Sequence, residues 1–261
     1  MPQMAANLSL LFTELAFMQR FEAAARAGFT QVEYLFPYAF DAGELRAQLD
    51  QHRLKQVLHN LPPGDWDAGE RGVACHPTRI DEFRQGVELA IAYANVLGVQ
   101  QLNCLAGIKP PDVDVNVATQ TLIANVRYAA EALKPHGIKL LLEPINSFDM
   151  PGFLVNTTAQ GIAVLDAAGA DNAFLQYDIY HAQRMEGELA NTIARYLPRI
   201  AHMQLADTPG RHEPGTGEIN YAFIFAELDR LGYKGAVGCE YKPRTNTVDG
   251  LAWLQRYQVA L

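Results

Sequence analysis

Cysteine is scarce. Cys75, Cys104 and Cys239 are the three in 261 residues, an odd number with no metal-type spacing. So few thiols exclude a disulfide framework and a cysteine-built zinc site, and they fit a reduced cytoplasm. No apolar stretch nears the ~20 residues that span a bilayer, so no membrane partner is expected. MPQMAANLSLLFTEL lacks the basic start of a secretion signal. Basic residues are the minority as well: 21 Lys and Arg stand against 29 Asp and Glu, a formal charge of −8. That balance argues against a nucleic-acid partner. It leaves room for a small anion, because a few local cations overrule net charge. There is no Gly-rich phosphate loop after the first apolar run, and GTGE at 215–218 lacks the Gly-Lys-Ser/Thr ending of a P-loop.

What is present is a loose repeat. An Ala-rich amphipathic helix is stopped by Gly, and a short apolar run follows that ends in a polar residue. In LAFMQRFEAAARAG, Leu15, Met18 and Phe21 fall at helical spacing before Gly28, and FTQVE then delivers Glu33. The same order gives Gly98 then Asn103, Gly137 then Glu143, Gly169 then Asp178, and Gly232 then Glu240. Asn7, His59 and Gln204 bring the strand ends to eight, 26 to 44 residues apart. Alternating strands and helices imply a parallel sheet, and eight units over this length imply an α/β fold with one (β/α)8 TIM barrel across 1–261. The rival is an open doubly wound sheet.

Four of these ends draw attention: Glu143 in LLLEP, Asp178 in FLQYD, Gln204 in AHMQLAD and Glu240 in AVGCEY. A continuously apolar strand is buried on both faces, so a carboxylate at its end is costly unless something pairs with it. Four at successive ends suggest a shared centre, most simply a divalent cation. Three carboxylates and an amide oxygen suit Mg²⁺ or Mn²⁺ over a soft-metal site. The alternative is a set of structural groups paired with Arg or with helix N-termini.

His59 ends the third run, and His181 follows Asp178 by three residues; either could hold or protonate a substrate oxygen, or be bonded to backbone instead. His202 lies one layer deeper than Gln204 and reads as structural. Two loops could cover a barrel mouth, 62–72 with Trp66 and 207–218 with Arg211, a natural carboxylate clamp. Apolar strips on the helices are compatible with a homodimer.

At these residues the chain resembles the hydroxypyruvate isomerase family, within the xylose isomerase-like barrels. The stretches that carry the resemblance run nearly end to end: AANLSLLF, VEYLFPY, LHNLPPGDWDAGERG, LNCLAG, EPINSFDMPGF, QYDIYHAQRMEGEL, ADTPGRHEPGTGEINY and CEYKP. The resemblance implies interconversion of hydroxypyruvate and tartronate semialdehyde, so the expected partner is a small anionic 2-oxo acid. It implies Glu143, Asp178, Gln204 and Glu240 as metal ligands, with Glu143 and Glu240 as the proton-transfer pair. It also implies Asp149, His181 and Arg211 as substrate contacts, as in related ketose epimerases. Gln204 departs from the histidine many epimerases place there. The tetronate-branch isomerases share the start and the CEYKP end, whereas HNLPPGDW and QYDIYH look more like the hydroxypyruvate branch. Abasic-site endonucleases of the superfamily need a histidine-rich zinc cluster, and Gln204 and Gly210 stand where its ligands would be. An isomerase of a longer 2-oxo acid or ketose, and a non-catalytic sugar-acid binder, remain as alternatives.

Overall fold

The computed structural model describes residues 3–259. Its eight strands are β1 (Gln3–Asn7), β2 (Gln31–Glu33), β3 (Lys55–Asn60), β4 (Gln101–Cys104), β5 (Lys139–Leu142), β6 (Ala173–Asp178), β7 (Ile200–Leu205) and β8 (Ala236–Cys239). Every neighbouring pair is parallel and β8 closes on β1. Closure excludes the open sheet. Helices return the chain between strands, the longest being Ile80–Leu97 and Val115–Leu133. No helix among the described residues is long and apolar enough to cross a membrane.

Local chemistry accounts for the joints. Gly28, Gly98, Gly137, Gly169 and Gly232 all have φ between 67° and 98°, the left-handed turn that ends a helix and costs glycine least. Asp41, Asp114 and Thr157 accept backbone N–H groups at helix starts. One expectation shifts. The helix read from Leu15 is a 3-10 turn at Phe17–Gln19 followed by helix Arg20–Arg26. The cause lies upstream: Phe12 takes φ 57°, and Arg20 donates to the carbonyls of Leu8 (2.7 Å) and Leu15 (3.0 Å), fastening that segment in a non-helical course.

Most of the apolar core lies between barrel and helices. A smaller cluster of Ala5, Val57, Leu58 and Leu141, with Phe174, Ala201 and Ala236 against it, fills the barrel interior. Above that floor the register sets polar ends side by side: Asn7 pairs with Glu33, and Asp178 with Gln204.

Candidate active site

All eight expected strand ends lie within one residue of a strand terminus, and none is more than 7% exposed. Three acids gather among them. One ligand atom each from Glu143, Asp178 and His181 lies within 4.8 Å of the others. Asp178 is both a strand end and a helix cap: its Oδ1 accepts Tyr180 N–H at 2.8 Å, at the start of Ile179–Met185. Its Oδ2, fully buried, accepts no hydrogen bond among the described residues, although His181 Nε2 (3.5 Å) and Arg211 Nη2 (3.6 Å) stand near. Glu143 Oε2 accepts from Asn103 Nδ2 at 3.0 Å, and Glu240 Oε1 from Arg211 Nη2 at 2.8 Å. Arg211 also lies over the Tyr180 ring, 5.1 Å from its centroid.

Burial pushes Glu143, Asp178 and Glu240 above the usual carboxylate range. Glu240 and Asp178 raise Glu143 further, Asp178 and Glu33 raise Glu240, and Glu33 raises Asp178, while Arg211 offsets only part of this. Three buried oxygen donors around one guanidinium, with an orphaned carboxylate oxygen between them, fit a bound divalent cation. Gln204 sits beside Asp178, with its Nε2 donating to Glu33 Oε1 (2.8 Å) and its Oε1 accepting from Gln176 Nε2 (2.7 Å). A flipped amide would set two oxygens face to face at Glu33.

Three buried histidines share one device, a side-chain amide against Nδ1. Asn146 Nδ2 lies 2.6 Å from Nδ1 of His181, and it must donate because Asn146 Oδ1 already accepts the N–H groups of Phe148 and Asp149. His181 Nδ1 is therefore an acceptor and Nε2 carries the proton. A protonated nitrogen has no lone pair for a metal, so within the Glu143–Asp178–His181 group the histidine is a hydrogen-bond donor and the acids are the ligand candidates. His59 is arranged alike. Tyr34 donates to Gln56 Oε1, so Gln56 Nε2 donates to His59 Nδ1 at 3.2 Å, and His59 Nε2–H has no partner among the described residues. Burial pushes His59 down to about 3 and His181 well below its ordinary value, so both rings are neutral. Asp149 stands at the rim. It accepts from Asn146 Nδ2 (3.1 Å), Tyr180 OH (2.8 Å) and Arg184 Nη1 (3.1 Å), and so steadies the amide that holds His181.

The loop bearing Arg211 is a preformed cage. Asp207, 1% exposed, accepts the N–H groups of Thr208, Gly215, Gly217 and Ile219. A Cβ at Gly217 would lie 1.9 Å from Thr208 O. Within this cage Arg211 takes φ 55°, uncommon for a non-glycine residue, and its carbonyl accepts Lys242 N–H at 2.8 Å. Loop 62–72 is tied by side chains instead: Arg79 pairs with Glu70, and Arg71 stacks 4.0 Å from the Trp66 ring centroid.

Comparison with known proteins bears on this arrangement. The xylose isomerase-like TIM barrel model matches residues 21–257. Hydroxypyruvate isomerase of Escherichia coli K12 is 51% identical over 99% of this chain and 100% of its own length. The chain belongs to the hydroxypyruvate isomerase family. Another relative is the 2-oxo-tetronate isomerase of Cupriavidus necator, 46% identical over 98% of this chain and 99% of its own. A crystal structure described as an AP endonuclease, family 2, from Brucella melitensis superposes with a TM-score of 0.96 at 46% identity, covering 98% of this chain and 99% of that one. Family resemblance pointed to the acids and to Arg211. It did not reveal the residues that orient the site, namely Asn146 on His181, Gln56 on His59, and Gln176, Tyr180 and Asp207 around the acids and Arg211. Asn146 carries one local signal, a polar residue three past Glu143 in EPIN; its partner His181 is 35 residues away.

Proposed function

We propose that this chain interconverts hydroxypyruvate and tartronate semialdehyde. Glu143, Asp178, Gln204 and Glu240 hold Mg²⁺ or Mn²⁺, and Glu143 and Glu240 move the proton. The observation that carries the reading is the crowding of Glu143, Asp178 and Glu240 around Arg211 with Asp178 Oδ2 orphaned. The 51% identity to a hydroxypyruvate isomerase supports the substrate.

A bound divalent cation supplies Lewis acidity toward the adjacent carbonyl and hydroxyl of the substrate. The chain's own residues do the rest. One glutamate of the pair removes a proton from C3, giving an enediolate, and one of the two returns a proton to C2. The hydroxyl proton passes from O3 to O2. A placed acid or base is worth about 10²–10⁴ in rate. Neutral His181 and His59 present Nε2–H groups that donate to substrate oxygens, and Asp149 with Asn146 keeps His181 in that form. Arg211 offers its guanidinium to the substrate carboxylate while staying paired with Glu240. The buried acids and the charge of −8 disfavour a DNA substrate.

The test is turnover of hydroxypyruvate by metal-stripped protein, with and without Mg²⁺ or Mn²⁺, scoring tartronate semialdehyde. Metal-dependent conversion is expected; absence of metal binding would overturn the reading. The 46% identity to a 2-oxo-tetronate isomerase favours one second reading, a four-carbon 2-oxo acid at the same site. Metal binding with four-carbon turnover, and none of hydroxypyruvate, would select it.

A further inference from the structure

Beneath the acids lies a buried network that the proton transfer does not use. Glu33, 0% exposed, accepts three side-chain hydrogen bonds: Asn7 Nδ2 (2.9 Å) and Gln204 Nε2 (2.8 Å) on Oε1, and His202 Nε2 (2.7 Å) on Oε2. His202 Nδ1 in turn faces Gln101 Nε2 at 3.2 Å, so this ring also carries its proton on Nε2. The space for Glu33 comes from β8, two strands away on the far side of β1. A Cβ on Gly238 would lie 2.2 Å from Glu33 Oε1 and 2.4 Å from Oε2.

We infer that Glu33 is a positioning residue that sets which end of the Gln204 amide faces the cation site. A carboxylate only accepts, so it captures the NH2 end of Gln204. The carbonyl oxygen is left on the opposite side, where it accepts from Gln176 Nε2. The oxygen, not the nitrogen, is thereby turned to the side of Gln176, which also serves Glu143. His202 and Asn7 hold Glu33 still, and the missing side chain at Gly238 lets it reach Gln204. This inference rests on Gln204 as a cation ligand, the reading given above.

Mn²⁺ titration of the metal-stripped protein tests it without any turnover assay. Glu33→Gln, which frees the amide to flip, should weaken Mn²⁺ binding by about 10- to 100-fold, the usual loss for a residue behind a ligand. Gly238→Ala keeps every charge and donor but moves the Glu33 carboxylate, and it should weaken Mn²⁺ as well. The swap Glu33→Gln with Gln204→Glu removes the amide whose orientation matters, and binding should recover most of the loss. Either single variant folds or the swap carries the test. Wild-type affinity in Glu33→Gln would overturn the positioning role alone. Weak binding in Glu33→Gln with wild-type binding in Gly238→Ala would assign the effect to charge and also overturn it. A wild-type protein that binds no Mn²⁺ would take down the ligand reading together with this one.

Discussion

The two halves of the barrel mouth use equivalent positions for opposite purposes. β1 to β4 end in Asn7, Glu33, His59 and Asn103; of these the one carboxylate, Glu33, is saturated by three donors. β5 to β8 end in Glu143, Asp178, Gln204 and Glu240, where three buried carboxylates share one arginine and one oxygen goes without a hydrogen bond. In the first half the carboxylate is satisfied and its partners hold it in place, while His59 Nε2 and Asn103 Oδ1 are the polar atoms there without a partner among the described residues. In the second half the carboxylates themselves are electrostatically crowded. Net burial is similar in both, so depth does not distinguish a supporting acid from a reacting one; its count of donors does.

That contrast can be broken at either side. The largest effect is expected at Glu240→Gln, with kcat down by about 10²–10⁴ even at saturating metal. Turnover near wild type would remove Glu240 from the chemistry. Next comes Glu33→Ala, which strands three buried donors and should cost about 3–5 kcal/mol of stability by denaturant melting. Glu143→Gln should do the reverse in metal-free protein, stabilising it by about 1–2 kcal/mol because one crowded charge is gone. A lower Tm for that variant without metal would contradict the crowding argument.

A smaller effect follows from His59. Its folded value, about 3, lies below the ordinary 6.5, so between those limits the unfolded chain binds a proton that the native ring refuses. The contribution of His59 is therefore full above pH 6.5 and falls by about 1.4 kcal/mol per unit as pH drops through that window, opposite in sign to that of the raised carboxyls. His59→Gln should flatten the slope measured by urea unfolding at pH 4 to 6. The mildest change expected is isotopic: proton transfer in D2O should leave carbon-bound deuterium in the product, and a product free of it would favour a hydride shift.

The barrel was legible because it is written locally. Five glycines stop helices, and polar residues punctuate apolar runs, so spacing alone counts eight strands. The acids were legible for the same reason, since Glu143 and Glu240 sit one residue past strands whose apolar pattern announces their ends. What escaped is long-range. Glu33 and Gln204 are 171 residues apart, and Asn146 and His181 are 35 apart; no pattern along the chain says that one will orient the other. The sequence offers Arg211 as a carboxylate clamp in the 207–218 loop, and its guanidinium stands among the acids because that loop folds back over them.

The Asp207 cage has a bearing on redesign. A graft that replaced residues 208–218 would discard three of the four amide groups that Asp207 gathers and leave a buried carboxylate with Ile219 N–H alone at the exit of β7. The 62–72 segment carries Arg71 and Trp66 with it and is tied to the rest through Glu70 on Arg79, so it can be exchanged provided that Arg79 keeps an acidic partner. An engineer seeking a roomier barrel mouth would therefore rebuild the loop after β3 and leave the loop after β7 intact.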